Sequence, residues 1–119
     1  VLACTSTYPT TADEINLRYI STLSQMYPKT KVGFSNHYNG MDACVGSVAL
    51  GAECVEFHIT KDRTMYGSDQ SASLEMKGMV EMVSQIKKMQ TAIGVEKIGH
   101  ILDEELPIAK KLRAHLTEN

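Results

Sequence analysis

The chain has 119 residues, 43% of them hydrophobic, which fits one soluble globular domain. Its 12 basic and 14 acidic side chains nearly cancel, so there is no basic field for nucleic acid, and no Lys/Arg run marks a membrane surface. No apolar stretch approaches the roughly 20 residues needed to cross a bilayer.

In chain order the sequence reads as strand, helix, strand, helix, strand, helix. "VLACTS" is a short apolar run, broken at Pro9 and Thr10. Thr11 then reads as an N-cap, with Glu14 three residues on completing a capping box. Ile15, Tyr19, Leu23 and Met26 recur at helical spacing, with Ile20 beside them, and the helix stops before Pro28. "KVGFSN" is the second strand, and Asn39-Gly40 after it is a turn signal. "MDACVGSVAL" is a short helix of small residues that Gly51 caps.

"ECVEFHIT" is the third strand. Val55, Phe57 and Ile59 fall on one face, and Glu56, His58 and Thr60 on the other. The apolar set suits packing against outer helices, and the polar set faces inward. After the loop "KDRTMYGSDQSA", Ser73 is a candidate cap for a long helix that ends at Gly94. Its expected apolar face is Met76, Met79, Val80, Val83, Ile86 and Ile93, with Met82 and Met89 at the edge. The tail has Pro107 at a helix start and Lys110, Lys111 and Arg113 further on.

Strands alternating with helices imply βαβ units and a parallel sheet. Both a (β/α)8 barrel and an open α/β sheet gather their functional groups at the strand C-termini. A whole barrel takes about 250 residues, so three strands are either a small open sheet or the last three-eighths of a barrel.

The three cysteines, Cys4, Cys44 and Cys54, form no CxxC pair and sit among apolar neighbours. They are expected to be buried free thiols in a reducing compartment, which places the chain in the cytoplasm. No signal-peptide pattern is visible, although the first residue is Val1 rather than Met, so a segment can precede it.

Four histidines are present. His100 and His115 lie in a connecting segment and a tail helix and read as structural or exposed. His37 and His58 end successive strands, which lie about 4.8 Å apart in a sheet, so their imidazoles can converge on one ion. Two imidazoles with open positions suit a catalytic site better than a closed structural one. Asp69, eleven residues after His58, can fold back over the strand end, or can be a turn aspartate beside Gly67. Thr5, Ser6, Thr7 and Tyr8 make a polar end to the first strand. Their hydroxyls either bind phosphate or sugar or simply begin a turn.

Taken together, "CTSTYPT", "VGFSNH", "VEFHIT" and "GSDQSASLE" resemble, in that order, the C-terminal part of the sialic acid synthase family, the N-acetylneuraminate synthase type. The resemblance runs from Val1 to about Ile93, with a weaker echo in "ELPIAKKLRAHL". It implies the last three βα units of a (β/α)8 TIM barrel, with residues 1–119 as one portion of that domain and without the antifreeze-like domain that often follows. It implies condensation of phosphoenolpyruvate with an N-acetylated sugar aldehyde of the N-acetylmannosamine type, giving a nine-carbon 2-keto acid and phosphate. Relatives making legionaminic, pseudaminic or spore-coat sugars share these motifs.

By position, the resemblance makes His37 and His58 ligands of a divalent metal, Mn2+ first, with Mg2+, Co2+ or Zn2+ as alternatives. Ser35 and Ser6 fall near the phosphoenolpyruvate phosphate, Ser6 where many members have Asn. Tyr8 lines the sugar pocket, and Asp69 contacts the sugar acceptor close to the metal. Asn36 stands where an acid is common, which implies altered metal affinity or altered support of the ligands. Lys61 and Arg63 read as loop surface residues. The family's phosphate-gripping residues on earlier strands have no counterpart, so the chain alone is expected to be inactive. Its expected partners are the two substrates, not nucleic acid or membrane, together with further copies of itself or a second chain that supplies the missing strands.

Overall fold

A computed structural model describes residues 1–95, 99 and 101–114. Three short strands, β1 (Leu2–Cys4), β2 (Gly33–Asn36) and β3 (Val55–Phe57), form one parallel sheet in the order β1-β2-β3. Between and after them run α1 (Arg18–Met26), α2 (Asp42–Ala49) and α3 (Met76–Ile93), and α4 (Leu106–Leu112) lies in the tail. The expected α/β alternation is present. His100 and His115 lie outside the described residues.

The sheet register sorts every strand residue to one of two faces. Ala3 pairs with Phe34 and Phe34 with Val55, and this row packs toward the helices. Leu2, Gly33 and Cys54 form the first row of the opposite face. Cys4, Ser35 and Glu56 form the next. The helix-side face is the core: Ala3, Val32, Phe34, Ile20, Ala43, Cys44 and Met82 are buried together, with Val55, Phe57, Leu74 and Ile86 against them. On the opposite face Leu2, Cys4, Cys54 and Glu56 are exposed. Cys44 alone of the three thiols is buried, which corrects the expectation for Cys4 and Cys54. Their apolar neighbours in sequence point to the other side of the strand.

Gly33 is demanded by this geometry. A Cβ there would sit 2.3 Å from Cys54 Sγ and 2.6 Å from the Cys54 carbonyl oxygen. Gly51, with φ of 95°, follows the end of α2 as expected of a cap.

Three helix details differ from the sequence pattern. Thr11 N donates to Glu14 Oε2 at 3.2 Å, but this box opens only a 3-10 turn, Ala12–Glu14. Asn16 then takes φ of 48°, and the α-helix begins at Arg18. Ile20 is its buried residue, while Tyr19 and Met26 are exposed. Ser73 does not cap α3, whose N-cap is Glu75. On α3 Met82 is completely buried, whereas Met76, Val80, Val83 and Ile93 are exposed. The helix thus carries two apolar faces. Met82 and Ile86 pack into the core with the sheet and α2, and the Met76–Val80–Val83 face has no cover among the described residues.

Candidate functional site

His37 and His58 stand immediately beyond the C-terminal ends of β2 and β3. Alternation along the strands puts His37 on the same face as Ser35, and His58 on the same face as Glu56. Tyr8 reaches in from the turn after β1. The three rings pack mutually: their centroids lie 5.1 Å apart for Tyr8–His37, 5.1 Å for Tyr8–His58 and 5.3 Å for His37–His58. Asp69 closes the cluster, with Oδ2 3.7 Å from His58 Nδ1. That separation is ion-pair reach and longer than a hydrogen bond. The structure therefore gathers Tyr8, His37, His58 and Asp69 from three loops that are distant in sequence.

The loops are tied to each other. His37 Nδ1 lies 2.8 Å from the Thr5 carbonyl oxygen, and Thr10 N donates to the His37 carbonyl at 3.0 Å. The Tyr8 hydroxyl donates to the Asp69 carbonyl at 2.7 Å, and Ser73 Oγ donates to the same oxygen at 2.5 Å. Ser73 is thus a brace for the Asp69 turn, which explains its burial. Arg63 bonds Asn39 Oδ1 and the Ser71 carbonyl. It is therefore a cross-loop contact rather than a free surface side chain. The Tyr8-Pro9 peptide bond is cis.

A metal-binding imidazole needs one nitrogen lone pair free and gains from an acceptor on the other nitrogen. A carbonyl can only accept, so His37 Nδ1 carries the hydrogen and the lone pair is left on Nε2. His58 has the Asp69 carboxylate on its Nδ1 side at 3.7 Å, within ion-pair reach and without a hydrogen bond. This donor set fits a divalent ion held by two imidazoles. Among the described residues no group of three or more His, Cys, Asp and Glu side chains converges as a complete cage.

The other expected residues are less simply placed. Ser6 is exposed in the turn between β1 and Tyr8. Ser35 is buried, and its hydroxyl donates to Glu56 Oε1 at 2.7 Å. The alternation of "VEFHIT" already set Glu56 inward, but its bond to Ser35 required the register of two strands. Asn36 lies on the helix side, with Phe34, rather than beside the histidines. Its amide nitrogen donates to the Tyr38 carbonyl at 2.9 Å and the Gly40 carbonyl at 3.2 Å, and its oxygen accepts from Tyr38 N at 3.2 Å. It shapes the turn after β2.

The histidine pair, the tyrosine and the carboxylate thus gather at the strand C-termini of a parallel α/β sheet, the end at which such sheets bind ligands. The NeuB family profile matches residues 1–98, and the chain belongs to that family. It is 43% identical over 93 residues to the N-acetylneuraminate-9-phosphate synthase of Homo sapiens, a match spanning 78% of this chain and 26% of that protein. It is 34% identical over 118 residues to an N,N'-diacetyllegionaminic acid synthase of Legionella pneumophila, covering 98% of this chain and 32% of the relative. The fold superposes on an N-acetylneuraminic acid synthetase of Leptospira borgpetersenii with a TM-score of 0.79 and 31% identity, over 99% of this chain and 40% of the other. A spore coat polysaccharide biosynthesis protein of Bacillus subtilis gives a TM-score of 0.76 and 30% identity, over 88% and 30% respectively. The chain thus spans about a quarter to a third of the length of these curated relatives.

Proposed function

We propose that residues 1–119 are the metal-holding C-terminal portion, the last three βα units, of a (β/α)8 synthase barrel. The parent reaction joins phosphoenolpyruvate to an N-acetylated sugar aldehyde, giving a 2-keto sugar acid and phosphate. The observation that carries this is the packed cluster of Tyr8, His37 and His58 with Asp69 against it. The names of the similar proteins support a sugar-acid synthase and leave the acceptor open between N-acetylmannosamine-type, legionaminic, pseudaminic and spore-coat sugars.

His37 and His58 would hold the divalent ion, Mn2+ in the first place. When bound, the ion supplies Lewis acidity toward the aldehyde oxygen of the acceptor. Thr5 holds the His37 ring through Nδ1, and the Asp69 carboxylate stands 3.7 Å from Nδ1 of His58. Asp69 also presents a carboxylate to an acceptor hydroxyl at the rim, and Tyr8 forms a wall against the sugar. Ser35 and Ser6 lie on the phosphoenolpyruvate side, where Glu56 is the nearest charge on Ser35. A phosphate there requires cationic groups to offset that carboxylate, and the remaining barrel strands are where this reading places them.

The open edges of β1 and β3 and the uncovered Met76–Val80–Val83 face of α3 are the seats for those strands and helices. No described helix is long and apolar enough to cross a membrane.

Calorimetric titration with Mn2+ tests the site: binding is expected, and it is expected to weaken in His37→Ala and His58→Ala. Absence of binding, or unchanged binding in both variants, overturns the metal assignment. The chain alone is expected to release no phosphate from phosphoenolpyruvate plus N-acetylmannosamine. Co-expression with the part of the Legionella pneumophila relative that this chain does not match is expected to restore turnover. Turnover by the 119-residue chain alone would overturn the partial-barrel reading.

A further inference from the structure

We propose that Arg63 is a positioning residue: it locks the loop after β3 to the loop after β2 and thereby sets the place of Asp69 beside His58. This rests on the reading of His37 and His58 as the metal-holding pair.

Three loops surround the site, and each pair of them is bonded. The first and second meet where Thr5 faces His37 Nδ1 and Thr10 N donates to the His37 carbonyl. The first and third meet where Tyr8 donates to the Asp69 carbonyl. The second and third meet at Arg63. Its Nε donates to the Ser71 carbonyl at 2.9 Å, and its Nη2 reaches both that carbonyl and Asn39 Oδ1. Asn39 is two residues beyond His37, and Ser71 is two residues beyond Asp69. The backbone nitrogen of Arg63 is itself anchored, donating to Glu75 Oε1 at 3.1 Å at the start of α3. The guanidinium therefore closes the third side of a triangle whose corners carry the rings and the carboxylate.

The chemistry asks for arginine in particular. Nε and Nη2 lie on one edge of a rigid plane, so one group serves a backbone carbonyl and a neighbouring amide oxygen together. A lysine ammonium is a single point donor on a flexible stem and cannot hold both at a set separation. Arg63 is exposed, so its bonds add little to global stability. Their consequence is local. His58 and Asp69 both follow β3; they are 3.7 Å apart and joined by no hydrogen bond of their own. Their separation therefore depends on what holds that loop, the Leu74 N bond to the His58 carbonyl at 2.9 Å on one side and the Arg63 bonds to Ser71 and Asn39 on the other.

The test uses the metal-free 119-residue chain and its Mn2+ complex. Arg63→Ala is expected to leave the melting temperature near that of the wild type, to shift the imidazole resonances of His58, and to weaken Mn2+ binding by about tenfold, the scale seen when an outer partner of a metal ligand is removed. Arg63→Lys is expected to behave like Arg63→Ala. In an Asp69→Asn background the His58 shift caused by Arg63→Ala is expected to vanish, because Asp69 carries the effect. Unchanged His58 resonances in Arg63→Ala, full recovery in Arg63→Lys, or a shift that persists undiminished beside Asp69→Asn each overturns the proposal. The resonance readout needs no metal, so a chain that binds no Mn2+ refutes the metal assignment and leaves this test decisive.

Discussion

His37 Nδ1 lies 2.8 Å from the backbone carbonyl oxygen of Thr5, across the gap between the second and first strand ends. The acceptor has no hydrogen to give, so the ring is held with its proton on Nδ1 and its lone pair on Nε2. The same contact orients the ring against Tyr8 and His58.

The first prediction follows from that bond. Long-range 1H–15N spectra of the neutral imidazole are expected to show His37 as the Nδ1–H tautomer, with Nε2 the nitrogen perturbed when a diamagnetic divalent ion such as Zn2+ is added. A dominant Nε2–H tautomer would refute both the bond and the ligating role.

The second concerns the thiols. Cys4 and Cys54 are expected to react quickly with a disulfide reagent in the native protein, and Cys44 only on unfolding. Burial, with Asp42 adding to it, pushes the Cys44 thiol from its ordinary 9.0 up to about 12. The unfolded chain therefore releases this proton first. Below about pH 9 the thiol is protonated in both states and stability is insensitive to it. As pH rises from about 9 toward 12 the folded state retains a proton that the unfolded state has lost, and stability falls. Urea midpoints measured at pH 8 and pH 10 should show this fall, and Cys44→Ala should flatten it. An equal slope in the variant would contradict the assignment.

A third prediction concerns Asn36. Its amide nitrogen donates to two carbonyls in the turn before α2. Aspartate keeps the acceptor for Tyr38 N but sets a charged oxygen against the Tyr38 and Gly40 carbonyls. Asn36→Asp is expected to cost about 1–3 kcal/mol at neutral pH, the cost of an unsatisfied buried polar group. The cost should shrink in acid as the carboxyl gains a hydrogen to donate. Denaturant unfolding at pH 7 and pH 4 reads both, and an unaffected variant at pH 7 would show that the amide is not needed.

The two faces of α3 give a fourth. Met82→Ala removes a completely buried side chain and is expected to cost about 2–5 kcal/mol. Val80→Ser, on the uncovered face, is expected to change stability by less than about 0.5 kcal/mol. It should nevertheless weaken the self-association expected of a chain with open sheet edges, as read by sedimentation velocity. A wild type that stays monomeric at high concentration would contradict that expectation.

Much of this was legible in residue order. The alternation in "VEFHIT" put Glu56 and His58 on one face because successive side chains on a strand point to opposite sides. Gly51 and Gly94 marked helix ends because both adopt positive φ, 95° and 62°, where other residues are strained. Periodicity was less reliable on the helices. α3 has apolar residues on more than one face, and nothing local says that Met82 rather than Val80 meets the core. Ser73 has the chemistry of a cap, yet its hydroxyl is taken by the Asp69 carbonyl four residues back.

The sequence by itself determined the element order, the two histidines at neighbouring strand ends and the motifs that carry family membership, since these depend on spacing along one chain. Tertiary structure decided which thiols are exposed, that Asn36 serves a turn, and that Arg63, Tyr8 and Thr5 bind three loops into one frame. Those contacts join residues far apart in the chain, 61 positions for Tyr8 and Asp69. They depend on sheet register and loop path, which only the packed chain sets.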